Sequence, residues 1–162
     1  MVPEHEAWPR VAVCILNWNG WRDTLERLES VRRLDYPNYF TVVVDNRSLN
    51  DSVEQIKAWA RTNLVASHAV AEYAKKTALA GGEAAGEEAL ESVQCADRLV
   101  IVENDENLGF PGGNNVAIQY TLHRPHPADF VFQRGSQTRS STQGSPSPGR
   151  AEFGRPSRPR RR

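Results

Sequence analysis

Residues 99–118 read LVIVENDENLGFPGGNNVAI, and the order of residue types in this stretch decides the fold. The compact apolar run 99–102 has the length and β-branched content of a buried strand. Val116, Ile118, Tyr120 and Leu122 then follow as a helical pattern. Between strand and helix lies a polar, glycine-rich segment from Glu103 to Asn115, the position at which α/β folds bind nucleotides. Gly109, Gly112 and Gly113 lack a Cβ, so the backbone there can take positive φ and a ligand can approach it closely. Asn107, Asn114 and Asn115 each offer an amide donor and a carbonyl acceptor to a base, ribose or phosphate. Read without its neighbours, the same segment is equally a Pro111-Gly112-Gly113 turn with Asn114 capping a helix.

The same arrangement occurs twice upstream. Residues 11–16 form an uninterrupted apolar run, which suits a strand covered on both faces, and the run ends in Asn17-Trp18-Asn19-Gly20, a good place for a ligand contact and also a common turn. Leu25, Leu28, Val31 and Leu34 then recur at helical spacing, with Asp23 placed to cap the helix and Glu26 three residues on. Pro37 ends that helix ahead of Asp35-Tyr36-Pro37-Asn38. The second strand, 40–44, runs straight into Asp45-Asn46-Arg47-Ser48-Leu49-Asn50-Asp51-Ser52. A carboxylate at a strand exit is not core filling. Asp45 is placed to accept from a base N–H or ribose hydroxyls, or else to cap the loop backbone. Asp51 or Ser52 caps a further helix that carries Val53, Ile56, Trp59 and Ala60.

Residues 62–98 are rich in alanine and glutamate, with Lys75-Lys76 and glycines at 81, 82 and 86, and read as a helical insertion with a flexible break. His68 and Tyr73 stand singly there, as surface or packing residues. Phe130-Val131-Phe132 begins a fourth strand that stops at Gln133, where a Ser/Gly/Pro/Arg-rich segment without apolar periodicity predicts a disordered tail, 133–162. Four strands alternating with helices predict an α/β fold over residues 1–132. The sheet is Rossmann-like and parallel, with helices on both faces. No G-x-G-x-x-G follows the first strand, so a dinucleotide-binding fold is set aside.

Composition narrows the class. The 162 residues carry 20 basic and 20 acidic side chains, a net charge of zero that predicts no specific nucleic-acid or membrane partner. The balance conceals a division: residues 133–162 hold eight arginines against Glu152, a net +7, which leaves −7 for residues 1–132. Cys14 and Cys95 form neither a disulfide framework nor a metal spacing, and Cys14 lies inside a strand pattern as a small buried hydrophobe. A reducing compartment follows. The first ten residues lack the apolar region of a secretory signal, and no apolar run approaches membrane-spanning length.

Three segments in succession, VAVCILNWNGW, DYPNYFTVVVDNRSLNDS and LVIVENDENLGFPGGNNVAI, resemble the amino-terminal half of family 2 glycosyltransferases, the inverting GT-A enzymes, and within them the rhamnosyl- and galactofuranosyltransferase-like branch. The resemblance covers residues 11–132, interrupted by the insertion. It implies a truncated GT-A half that binds the nucleotide of a UDP- or dTDP-sugar donor. By position, Asn17, Asn19 and Gly20 would line the base pocket, and Asp45 with Asn46 would contact base or ribose. Asn107, Gly109, Gly113 and Asn114 would border the ribose and phosphate. It further implies transfer to a glycan or lipid-linked acceptor in cell-surface polysaccharide synthesis. The location would be cytoplasmic, including the inner face of the membrane through association with other components.

The chain also departs from that pattern. Family members continue from the fourth strand into a DxD- or NND-type motif that holds Mg or Mn, which neutralises charge on the departing nucleoside diphosphate. Here Phe132 is followed by Gln133-Arg134-Gly135-Ser136, so the metal site and the later catalytic base are expected to be missing, and no catalytic residue is assigned. Glu103, Asp105 and Glu106 are a weak substitute, since acidic loops are usually just solvated. The change of composition in mid-strand points to a shifted reading frame or a truncated gene. The alternative function is a non-catalytic nucleotide-binding or interaction module whose basic tail recruits an anionic partner.

Overall fold

Uninterrupted apolar runs fold here as strands buried on both faces. The computed structural model describes residues 8–67 and 70–137. β1 (Val11–Trp18), α1 (Trp21–Arg32), β2 (Tyr39–Asp45) and α2 (Ser52–Asn63) come first. β3 (Ala71–Ala74), α3 (Lys75–Leu79), α4 (Ala84–Glu91) and a 3-10 turn at Cys95–Asp97 follow. β4 (Leu99–Glu103), α5 (Gly109–His123) and β5 (Phe130–Gln137) complete the described fold. All five strands are parallel, in the order β3-β4-β2-β1-β5, with helices on both faces, so the α/β Rossmann-like expectation holds.

Alternate residues of each strand serve opposite layers. Cys14, Leu16, Val42, Val44, Val100 and Val102 pack with Val116, Ala117 and Tyr120 of α5. Ile15, Val43 and Ile101 pack with Leu28 of α1 and with Ile56 and Ala60 of α2. Each fully buried aliphatic side chain of this kind contributes about 1.5 to 3 kcal/mol, which is why the helical spacing of Leu28 and Ile56 fixes which helix face turns inward. Cys14 is a core residue as expected, and burial pushes its thiol up to about 12. Among the described residues no helix is long and apolar enough to cross a membrane.

Several local expectations change. Among the described residues there are five strands instead of four, because the insertion is not wholly helical: β3 adds to the outer side of β4. α1 begins at Trp21, with Gly20 in the cap position, so Asp23 lies in the first turn and caps nothing. The strand expected to stop at Phe132 continues to Gln137, held in register with β1 up to Trp18. A ladder of backbone hydrogen bonds does not depend on side-chain hydrophobicity, and it carries β5 past its last apolar residue. His68 and residues 138–162, where the rest of the tail falls, lie outside the described residues, as do residues 1–7.

Tyr73 is not a lone packing residue. Glu87, buried on α4, accepts hydrogen bonds through Oε1 from the hydroxyls of Tyr73 at 3.0 Å and Tyr120 at 2.7 Å, and through Oε2 from Arg124 Nε at 2.8 Å. Arg124 is itself buried, stacks 4.2 Å over the Phe40 ring and reaches Glu91, which also pairs with Arg10. Burial pushes the Tyr73 hydroxyl up to about 12 and raises that of Tyr120 as well, so both remain proton donors to Glu87. The insertion therefore supplies the buried counter-ion of a residue at the end of α5.

Two outcomes follow for the intact chain. Glu87→Ala leaves Arg124 buried without its main partner and is expected to cost about 3 to 5 kcal/mol in urea unfolding; a loss below 1 kcal/mol would contradict the network. A thiol reagent at pH 8 is expected to label the half-buried Cys95 and to spare Cys14 until denaturant is added.

Candidate functional site

Parallel register aligns the strand exits. Asn17 lies opposite Asp45 across β1 and β2, Asp45 opposite Glu103 across β2 and β4, and Ala74 opposite Glu103 across β3 and β4. The polar segments that follow these strands are therefore brought to one edge of the sheet, where ligands of open α/β sheets bind.

Two hydrogen-bond nets organise that edge. In the first, Asp45 is 3% exposed and its Oδ1 accepts from Asn17 Nδ2 at 2.7 Å and Ser48 Oγ at 2.6 Å, while Oδ2 accepts from Ser48 N at 2.9 Å. Asn17 Oδ1 accepts from Thr24 Oγ1 at 2.9 Å, which ties the β1 exit to the first turns of α1. Asn19 takes a left-handed φ of 53°, and its Oδ1 accepts from Leu49 N at 2.7 Å. Gly20 is buried in the cap position of α1. Asp45 thus does what loop capping requires, and still forms part of a cleft wall.

In the second net the centre is Asn46, also buried. Its Nδ2 donates to Asn107 Oδ1 at 2.8 Å and to Gly109 O at 3.1 Å, and its Oδ1 accepts from Asn104 Nδ2 and Leu108 N, both at 3.1 Å. One carboxamide thereby holds the whole β4–α5 connection against the end of β2.

The glycine-rich segment is only partly a loop. Gly109 alone among its glycines has positive φ, 68°. Gly112 and Gly113 already belong to α5, and Gly113 is there for close approach: a Cβ on it would stand 2.4 Å from Leu16 Cδ1 and 3.3 Å from Asn46 Oδ1. Asn114 is not a cap; it lies within α5, donates from Nδ2 to Phe110 O at 2.9 Å, and leaves a buried Oδ1 without a partner. Asn115 is exposed.

A polar cleft of about 260 Å³ opens between these nets and the start of α2, lined by Asp45, Arg47, Ser48, Asn50, Glu103 and Asn104. That is slightly below the roughly 300 Å³ at which drug-sized sites begin, so it suits one portion of a nucleotide. A larger cavity of about 450 Å³ lies between α1, β1 and β5, walled by Val13, Val31, Leu34, Tyr39 and Phe132, with few polar groups to orient a ligand and away from the aligned strand exits. The smaller cleft has the chemistry.

The acidic loop does not form a metal centre. Glu103 pairs with Lys57 at 2.7 Å, and Lys57 also holds Glu72 at 2.9 Å. Lys75 pairs with Asp105 at 2.5 Å and Glu106 at 3.3 Å, and the bond from Lys75 holds the Asp105 carboxyl below its ordinary value. Among the described residues no group of three or more His, Cys, Asp or Glu is placed to hold a metal ion.

Of the sequence-derived set, Asn17, Asn19 and Asp45 meet in one net and Asn46, Asn107 and Gly109 in the other. Gly113 abuts the second through Asn46, Asn114 stands apart on α5, and Gly20 starts α1. Thr24, Ser48, Arg47 and Asn104 were missed. Ser48, three residues after Asp45, carried the signal of a side-chain-capped turn; Thr24 and Asn104 carried none until the fold brought them in. No protein-family model, curated protein or solved structure matches the chain, so the functional reading rests on its own residues.

Asn46→Ala removes the centre of the second net and strands the Leu108 amide. The expected cost is about 2 to 4 kcal/mol, with faster amide hydrogen exchange at Leu108 and Gly109. Unchanged exchange there would show that the loop is held by something else.

Proposed function

We propose that this chain is the donor-binding half of a nucleotide-sugar-dependent glycosyltransferase, binding a UDP- or dTDP-sugar at the cleft between β2, α2 and β4. The observation that carries the reading is the level alignment of three polar strand exits, after β1, β2 and β4, at the carboxyl edge of a parallel sheet, with the exits of β2 and β4 lining one cleft there. The three sequence segments that resemble family 2 glycosyltransferases are the segments that lead into those exits.

Within this reading the two nets keep the loops in a binding-ready shape before the ligand arrives. Ordering of the loops then costs little on binding. The base or ribose fits the polar cleft, and the diphosphate extends toward α5, whose amino terminus favours negative charge. Transfer is a separate matter. The lysine-paired carboxylates of the acidic loop support donor binding without turnover, because a cation would have to displace Lys57 and Lys75 to use them.

Calorimetry with UDP, dTDP and their sugars tests the proposal. Weak binding of at least one of them, with no sugar transferred or hydrolysed, is the expected result. A folded sample that binds none of the four ligand classes would refute it.

A further inference from the structure

The groups that the sequence singles out are largely engaged with one another. Asp45 Oδ1, Asn17 and both ends of the Asn46 carboxamide already have partners within the nets. Two cleft residues differ. Asn104 is 4% exposed, donates from Nδ2 to Asn46 and from its backbone N to Asp45 O, and yet its Oδ1 is buried with no hydrogen-bond partner. A buried acceptor left unpaired is costly, and native structures seldom keep one without a reason.

Arg47 is the second. It holds a left-handed φ of 62°, a conformation unfavourable to any residue with a Cβ and most natural to glycine. Asn19 takes the same kind of conformation but is compensated, since asparagine tolerates it and the side chain is bonded to Leu49 N. Arg47 has no such compensation. Its exposed guanidinium makes no hydrogen bond or ion pair among the described residues, and its charge reaches only as far as helping Lys75 hold the Asp105 carboxyl down. The cleft therefore contains a buried acceptor without a donor and, on Arg47, a guanidinium that pairs with none of the carboxylates lining the same cleft, Asp45, Glu54 and Glu103.

We infer that Arg47 and Asn104 are the residues through which the cleft reads its ligand. Arg47 donates to a diphosphate oxygen, and Asn104 Oδ1 accepts from the ligand's N–H or O–H, while Asp45, Asn17 and Asn46 position the loops. The inference rests on the sugar-nucleotide reading, since a nucleoside diphosphate brings both an anion and such a donor. The donor has three sources, the base imide and the ribose 2′- and 3′-hydroxyls, and these are separable with the wild-type chain.

The test is calorimetry with UDP as the probe, paired with thermal melting. Arg47→Gly relieves the backbone and removes the cation, so its Tm is expected to hold or rise while UDP affinity falls at least tenfold. Binding within twofold of wild type would overturn the assignment of Arg47. For Asn104, N3-methyl-UDP, 2′-deoxy-UDP and 3′-deoxy-UDP are titrated into the wild-type chain, which avoids disturbing the bond to Asn46. A tenfold or greater loss with one analogue supports Asn104 Oδ1 as the acceptor and names the donor; equal binding of UDP and all three analogues overturns it. Should the folded wild-type chain bind no nucleotide, both this inference and the sugar-nucleotide reading fail. Retained UDP binding with unaffected variants and analogues defeats the inference alone.

Discussion

The parallel register that sets Asn17 beside Asp45 and Asp45 beside Glu103 is the constraint on which the candidate site depends. In a parallel sheet all strands leave at the same edge, so their first non-apolar residues meet there without any further instruction. A slip of one residue would turn every side chain to the opposite face. The core resists such a slip because both faces of β1, β2 and β4 are packed, one against α5 and the other against α1 and α2. The packing of apolar side chains thus places polar ones it never touches.

Charge is handled differently at the two ends of the sheet. At the candidate site, Lys57 and Lys75 hold the acidic side chains of the β4–α5 connection from the outside, as exposed pairs that contribute little energy individually. Lys75 opens α3, directly after β3, so the added strand also steers the loop beside the cleft. Toward the other end, Glu87 and Arg124 are sealed in the core, where separating them is expensive. Gly81 lets this region close on α5, since a Cβ there would stand 2.3 Å from His123 O. What reads as an insertion in the chain is an integral layer of the fold.

The edge strand β5 presents the opposite situation. Phe130 and Phe132 are 58% and 64% exposed, beside the apolar cavity walled by α1 and β1. An exposed apolar edge is a pairing hazard for any sheet, and this one lacks the charged residues that usually guard such edges over Phe130 to Gln133.

The core strands and their flanking helices were legible because burying a strand on both faces demands an uninterrupted apolar run, and burying one helix face demands spacing of three and four. Both are local properties. β3 was not legible: Ala71-Glu72-Tyr73-Ala74 is short and weakly apolar, and becomes a strand only because β4 offers an unpaired edge. By itself the sequence determined an α/β fold with polar exits after three strands. Only the tertiary structure decided which of those polar groups face each other and which stay free. Hydrogen bonds such as Asn17 to Asp45 and Asn46 to Asn107 join residues 28 and 61 positions apart, so Asp45 is engaged, and Arg47 and Asn104 are left available, solely through the register of the assembled sheet.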